Sequence, residues 1–222
     1  MYASNDLKYP KITHSLCRRP TKLKLAEFKP ALAINPDILA RYAANRLRVV
    51  RQVRYSQHNE NSIDLVLFLN GLAVATAELK TDFTQSIGDA IDQYRFDRLP
   101  RPKGQAAEPL LSFPDRALVH FAVSNSEVHM VTRLAGPATV FLPFNRGNEG
   151  AAGNPVNPNP NGGHRSAYLW EQVWARESWL EILGRYLIPQ RDKKKQIEKI
   201  IFPRFHQLDV TRKLQVAVLK VR

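Results

Sequence analysis

The chain has 222 residues, 44% hydrophobic and 24% charged, with 33 Lys plus Arg against 20 Asp plus Glu and a formal net charge of +13. These fractions exclude wholesale disorder and collagen-like structure, and the length admits one sizeable core, or one domain with part of another. The single Cys17 excludes a disulfide scaffold and a cysteine-rich zinc site, while the absence of a long apolar run or a secretory leader makes a cytoplasmic protein with no membrane association the expectation.

Residues 1–36 contain Pro10, Pro20, Pro30 and Pro36 and no helical pattern, which predicts irregular structure. Asn35-Pro36-Asp37 leads into a short helix, about Asp37 to Asn45. Arg46 to Tyr55 is β-branched and basic and reads as a strand; Ile63 to Leu69 reads as a stronger one. Asn70-Gly71 is a hairpin signal, and Leu72 to Lys80 is the returning strand. Thr84 to Asp97 is predicted helical, capped by Thr84, with Ile87, Ala90, Ile91 and Tyr94 at three- and four-residue steps.

Residues 100–115 carry four prolines and read as a surface connection. Arg116 to Val123 and Glu127 to Arg133 form a second predicted hairpin. Pro143 to Arg165 is rich in Gly, Asn and Pro and too long for a simple turn. Tyr168 to Leu187 contains two helical pieces whose apolar residues read as core. Pro189 interrupts, Lys193-Lys194-Lys195 begins a basic linker, and residues 206–221 are helical again. His120 and His129 alternate with apolar residues and read as core or surface imidazoles rather than ligands.

Charge is segregated along the chain. Residues 1–60 carry +8, residues 61–184 carry −3 and residues 185–222 carry +8. Basic ends of this kind either neutralise nucleic-acid phosphates or form a solvated surface.

The chemistry concentrates in one group. Asp64 interrupts an otherwise apolar strand, where a carboxylate is costly unless it meets a cation or hydrogen-bond donors. Glu78 and Lys80 end the partner strand two residues apart, so period-two geometry puts them on one face. Two carboxylates beside a lysine suit Mg²⁺, which binds through one or two carboxylates and keeps waters for a substrate phosphate. An ordinary salt bridge of Lys80 with Glu78 or Asp64 is the competing interpretation. Register also matters. A plain two-residue turn at Asn70-Gly71 pairs Leu69 with Leu72 and Asp64 with Ala77, and it turns Glu78 to the opposite face. A metal site therefore requires a longer loop, a bulge or a bend before Glu78.

The run Asn61 to Lys80 resembles the nuclease core of the restriction (R) subunit of type I restriction-modification enzymes, a member of the PD-(D/E)xK nuclease superfamily. The similarity continues through Asp89 to Arg98, Arg116 to Val123, Thr132 to Gly136, Phe141 to Asn148 and Ala167 to Trp174, and spans roughly residues 42–214. It implies an α/β fold, a central mixed β-sheet flanked by helices with a restriction-endonuclease-like core. It implies Asp64 and Glu78 as metal ligands, Lys80 as the catalytic lysine and Gln93 as a further site residue. The family's usual Gln-x-x-x-Tyr is not matched, because position 97 is Asp and Tyr94 directly follows Gln93. Superfamily members often carry an acidic residue before the first strand; here Glu27 is a candidate only by elimination.

The C-terminal run Ile201 to Leu214 resembles the start of a superfamily 2 helicase-like motor, with Gln207 where such motors contact adenine. No Gly-x-x-x-x-Gly-Lys-[Ser/Thr] loop is present, so ATP is expected only in a full-length subunit. The resemblance divides the chain into an endonuclease domain, 1–188, and a linker with the start of a motor, 189–222. Its implied function is Mg²⁺-dependent endonucleolytic cleavage of double-stranded DNA, a hydrolase reaction, in a complex with methylation and specificity subunits after ATP-driven translocation. The alternatives are a catalytically inactive DNA-binding or assembly module of the same fold, and a repair nuclease that needs no partners.

Overall fold

The structure is a computed structural model and describes residues 24–30, 32, 34–147, 157–158 and 163–220. Cys17 and most of the loop expected at 143–165 lie outside these residues. A mixed sheet of six strands is flanked by helices, which is the α/β, restriction-endonuclease-like architecture that the sequence predicts. Its strands are β1 Leu47–Arg54, β2 Ser62–Leu69, β3 Leu72–Leu79, β4 Val119–Val123, β5 Val128–Val131 and β6 Leu142–Pro143, in that spatial order. Only the β3–β4 pair is parallel; every other neighbouring pair is antiparallel.

Alternation along the strands makes two apolar faces. Leu65, Leu67, Leu69, Phe121, Val123, Val128 and Met130 point to one of them. That face is covered by helix α1 (Pro36–Ala43), by Leu169 and Val173, by helix α3 (Arg176–Glu181) and by Leu208 of helix α4 (Phe205–Lys220). Val66, Phe68, Ala73 and Ala122 point the other way, onto helix α2 (Ile87–Asp92) and the π-helical turn Gln93–Asp97 that continues it. Phe121 and Trp179 are fully buried on the first face, and burial of each such side chain stabilises the fold by about 1.5–3 kcal/mol.

Local chemistry sets the element ends. The Asn35 side chain caps α1 by accepting from the backbone N–H groups of Asp37 (2.9 Å) and Ile38 (3.3 Å). The helix expected from Thr84 starts at Ile87 instead. Ser86 takes the cap because Asp89 accepts from its backbone N–H (2.6 Å) and its hydroxyl (2.8 Å).

The basic linker expected after Pro189 contains a second sheet, the hairpin of β7 (Ile188–Arg191) and β8 (Ile197–Ile201). Lys195 turns this hairpin at φ +61°, and Ile200 and Phe202 enter the same buried cluster as Phe121. Among the described residues no helix is long and apolar enough to cross a membrane.

The β2–β3 hairpin decides the geometry of the site. Asn70 (φ +51°) and Gly71 (φ +86°) form a two-residue turn with both central residues left-handed, and Leu69 pairs with Leu72 as a plain turn requires. The register then shifts by one. Phe68 pairs with Ala73, but Leu67 pairs with Ala75, so Val74 is the extra residue of a bulge. Val74 and Ala75 consequently face the same cluster, and the pairing resumes as Val66–Thr76 and Leu65–Ala77.

Candidate functional site

One step beyond Leu65–Ala77, the shifted register sets Asp64 opposite Glu78, on the same face of the sheet. Without the bulge at Val74 the two carboxylates would lie on opposite faces. Asp64 is half-buried and its carboxylate is held at both oxygens. The Leu79 backbone N–H donates to Oδ2 at 2.8 Å, and Gln52 Nε2 on β1 donates to Oδ1 at 2.8 Å. Gln52 Oε1 in turn accepts from the Ser62 hydroxyl at 2.9 Å. Gln52 has φ +50°, a left-handed backbone that costs a non-glycine residue about 1–2 kcal/mol.

Glu78 is fully buried. Its Oε1 accepts from Arg98 Nε at 2.7 Å, and Arg98 Nη2 donates to the Ser62 carbonyl at 2.9 Å. Among the described residues its Oε2 has no hydrogen-bond partner. Burial pushes the Glu78 carboxyl up to about 7; Arg98 opposes the rise and the neighbouring Asp64 adds to it. Arg98 reaches Glu78 because the helix widens: the Arg98 backbone N–H bonds to the Gln93 carbonyl five residues back, at 3.0 Å. Such π-helical turns recur at functional sites.

Lys80 follows β3 directly, and its backbone N–H donates to the Val123 carbonyl at 2.8 Å, which fixes it beside the end of β4. Among the described residues its amine enters no ion pair. The salt bridge to Glu78 belongs to Arg98, not to Lys80. Gln93 opens the π-helical turn, and its side-chain oxygen is buried without a hydrogen-bond partner among the described residues. Tyr94 is core: its hydroxyl meets Thr76 Oγ1 at 2.8 Å, and the same oxygen bonds His120 Nδ1 at 2.7 Å.

Two residues named from the sequence sit elsewhere. Glu27 is held by Lys24 (2.6 Å) and Arg41 (3.3 Å), and its neighbours Ala26 and Phe28 pack on the face away from α2. Gln207 lies in the first turn of α4, where its Oε1 accepts from the Arg204 backbone N–H at 3.0 Å. Two residues that sequence reasoning missed, Arg98 and Gln52, donate side-chain hydrogen bonds to the paired carboxylates. Neither had a signal in spacing or composition.

A buried carboxylate oxygen with no donor, beside a second carboxylate, calls for a proton or a cation. Among the described residues no group of three or more His, Cys, Asp and Glu converges, so a cation here would have two carboxylate ligands, with its remaining positions left to neutral oxygens and water. That donor set fits Mg²⁺.

The proton alternative has a measurable consequence. Glu78 is raised to about 7 from 4.5, so its contribution to stability is full below 4.5 and is lost as pH rises through 7. Burial lowers His120 from 6.5 to about 3, so its contribution is full above 6.5 and is lost as pH falls through 3. Each slope is about 1.4 kcal/mol per pH unit, and between 4.5 and 6.5 they oppose each other. The lowered carboxyls of Glu27, Asp89 and Glu177 titrate below this window. Urea unfolding without divalent cations should therefore give nearly constant stability across the window for the native chain. Glu78→Gln should gain stability with rising pH; a flat Glu78→Gln profile would contradict the assignment.

A family model for the N terminus of the type I restriction enzyme R protein matches residues 20–139, which include Gln52, Asp64, Glu78, Lys80, Gln93 and Arg98. No curated protein matches the chain. With more than half of its length matched, and with the expected mixed sheet formed, the chain belongs to the family of type I restriction enzyme R protein N-terminal regions.

Proposed function

We propose that this region is the Mg²⁺-dependent endonuclease of a type I restriction R subunit and cleaves phosphodiester bonds in double-stranded DNA. On this reading it acts in a complex with methylation and specificity subunits, after translocation driven by ATP at the subunit's motor. The observation that carries the reading is the bulge at Val74, which aligns Asp64 with a buried, unpartnered Glu78 Oε2 two residues before Lys80.

Asp64 and Glu78 would hold the metal. Bound Mg²⁺ supplies a Lewis acid for the scissile phosphate and a lowered pKa for a bound water. Lys80 stands at the end of β3 with its amine in no ion pair among the described residues, so that amine is available to orient the attacking water or to meet the charge growing on the phosphate oxygens. The unpartnered Gln93 side-chain oxygen offers one more acceptor on the helix that covers the site. Gln52 and the Leu79 N–H keep Asp64 turned toward Glu78.

A second reading has one specific observation in its favour. Arg98 already pairs with Glu78, so its guanidinium supplies positive charge where a metal would, as in an assembly module that kept the fold and lost the chemistry. Calorimetric titration with Mn²⁺ separates the two. The native chain should bind Mn²⁺, and Asp64→Asn should weaken binding by at least about tenfold. No binding by the native chain at millimolar Mn²⁺ would overturn the nuclease reading and leave the assembly module.

A further inference from the structure

We propose that Gln52 is a positioning residue for Asp64, fixing its carboxylate for a divalent cation; this rests on the reading of Asp64 as a cation ligand.

Three linked features single Gln52 out. Its backbone is left-handed, φ +50°, in the middle of a strand whose neighbours Val49, Val50 and Val53 are β-formers. The β1–β2 pairing runs from Arg51–Leu65 to Val53–Ile63, and the row between them joins through side chains instead, Gln52 to Asp64. Finally, both ends of the Gln52 amide are engaged. Its nitrogen donates to Asp64 Oδ1, and its oxygen accepts from the Ser62 hydroxyl. A hydroxyl donor on one side and a carboxylate on the other admit only one orientation of the amide.

The choice of side chain follows from the charge that the site needs. Arg98 compensates Glu78 with a full positive charge. Gln52 offers Asp64 a hydrogen bond and no positive charge, so it positions the carboxylate without standing in for a cation. Each Asp64 oxygen accepts one protein donor and retains a lone pair. The carboxylate plane is thus fixed while its capacity to bind a cation is preserved, the role that outer-shell partners play at metal centres.

A purely structural role is the competing explanation. Among the described residues β1 is an edge strand, and a kinked edge discourages pairing with another chain. That role needs the left-handed backbone and not the amide, and the difference can be measured. Gln52→Gly keeps the backbone conformation and removes the amide. Gln52→Asn tolerates the left-handed backbone but falls one methylene short of Asp64.

The test uses the full chain for Mn²⁺ titration and thermal unfolding, and the assembled restriction complex for the Mg²⁺ dependence of cleavage. Both variants should unfold at or above the native temperature, bind Mn²⁺ about 10- to 100-fold more weakly, and need correspondingly more Mg²⁺ for half-maximal cleavage. The rate at saturating Mg²⁺ should recover. Native Mn²⁺ affinity in both variants, alongside lost binding in Asp64→Asn, would overturn the role of Gln52 and leave the site intact. Native affinity in Gln52→Asn alone would also overturn it, because that side chain cannot make the bond. No Mn²⁺ binding by the native chain would overturn the underlying reading of Asp64 instead.

Discussion

Lys80→Ala in an assembled type I restriction complex is expected to lower double-strand cleavage by about 100- to 1,000-fold, the usual cost of losing one preorganised group that meets developing charge. Asp64→Asn is expected to cost at least about 1,000-fold, because on the proposed reading it removes a metal ligand and with it several kcal/mol of transition-state stabilisation. The Lys80 variant isolates chemistry from folding. Its amine makes no ion pair among the described residues, and the contact that anchors the residue is its backbone N–H to Val123, which alanine keeps. Its unfolding free energy should therefore stay within about 0.5 kcal/mol of native. ATP hydrolysis by the complex serves as the internal control, since this chain contains no phosphate-binding Gly-x-x-x-x-Gly-Lys-[Ser/Thr] loop. Native cleavage rates in both variants would remove Asp64 and Lys80 from the chemistry.

The candidate site was legible in the sequence up to a contradiction. Asp64, Glu78 and Lys80 stand out by residue type and spacing, and Asn70-Gly71 identifies the turn that joins their strands. That same turn implies a register placing the two carboxylates on opposite faces. The resolution is a single unpaired residue, Val74, in the run Leu72-Ala-Val-Ala-Thr-Ala77. Small and β-branched residues of that kind fit either face, so their pattern does not reveal a bulge. The partners of the carboxylates were illegible for a different reason. Arg98 comes within reach only through a π-helical turn, and three- and four-residue steps cannot signal a five-residue one. Gln52 lies among basic and β-branched residues, where nothing predicts a left-handed backbone. At the other end of the chain, the charge of Lys193 to Lys195 masked a hairpin whose pairing is set by Ile188, Ile197, Ile200 and Ile201.

Arg98→Ala is expected to destabilise the domain by about 1–3 kcal/mol, because it leaves the buried Glu78 Oε1 and the Ser62 carbonyl without their donor. Glu78 is fully buried and its Oε2 has no donor, so Arg98 at Oε1 is its one hydrogen-bonded counter-charge among the described residues. Arg98→Lys should recover little of the loss. A single ammonium cannot reproduce the fork that bonds Glu78 at 2.7 Å and the Ser62 carbonyl at 2.9 Å together. The double variant Glu78→Gln with Arg98→Met should lie within about 1–2 kcal/mol of native, since removing both charges also removes their desolvation cost. Chemical denaturation of the two single variants and the double variant forms the cycle. Additive losses would show that the pair is not coupled. Coupling links stability to function: with Arg98 gone, the carboxyl regains neutrality by keeping its proton, and a cation must then displace that proton to bind. Arg98→Ala should accordingly weaken Mn²⁺ binding although it removes a positive charge. If Arg98 instead occupies the place of a metal, as in the assembly-module reading, the same substitution should create or strengthen Mn²⁺ binding. The sign of that one change in affinity decides whether the Glu78–Arg98 pair sustains a metal site or has replaced one.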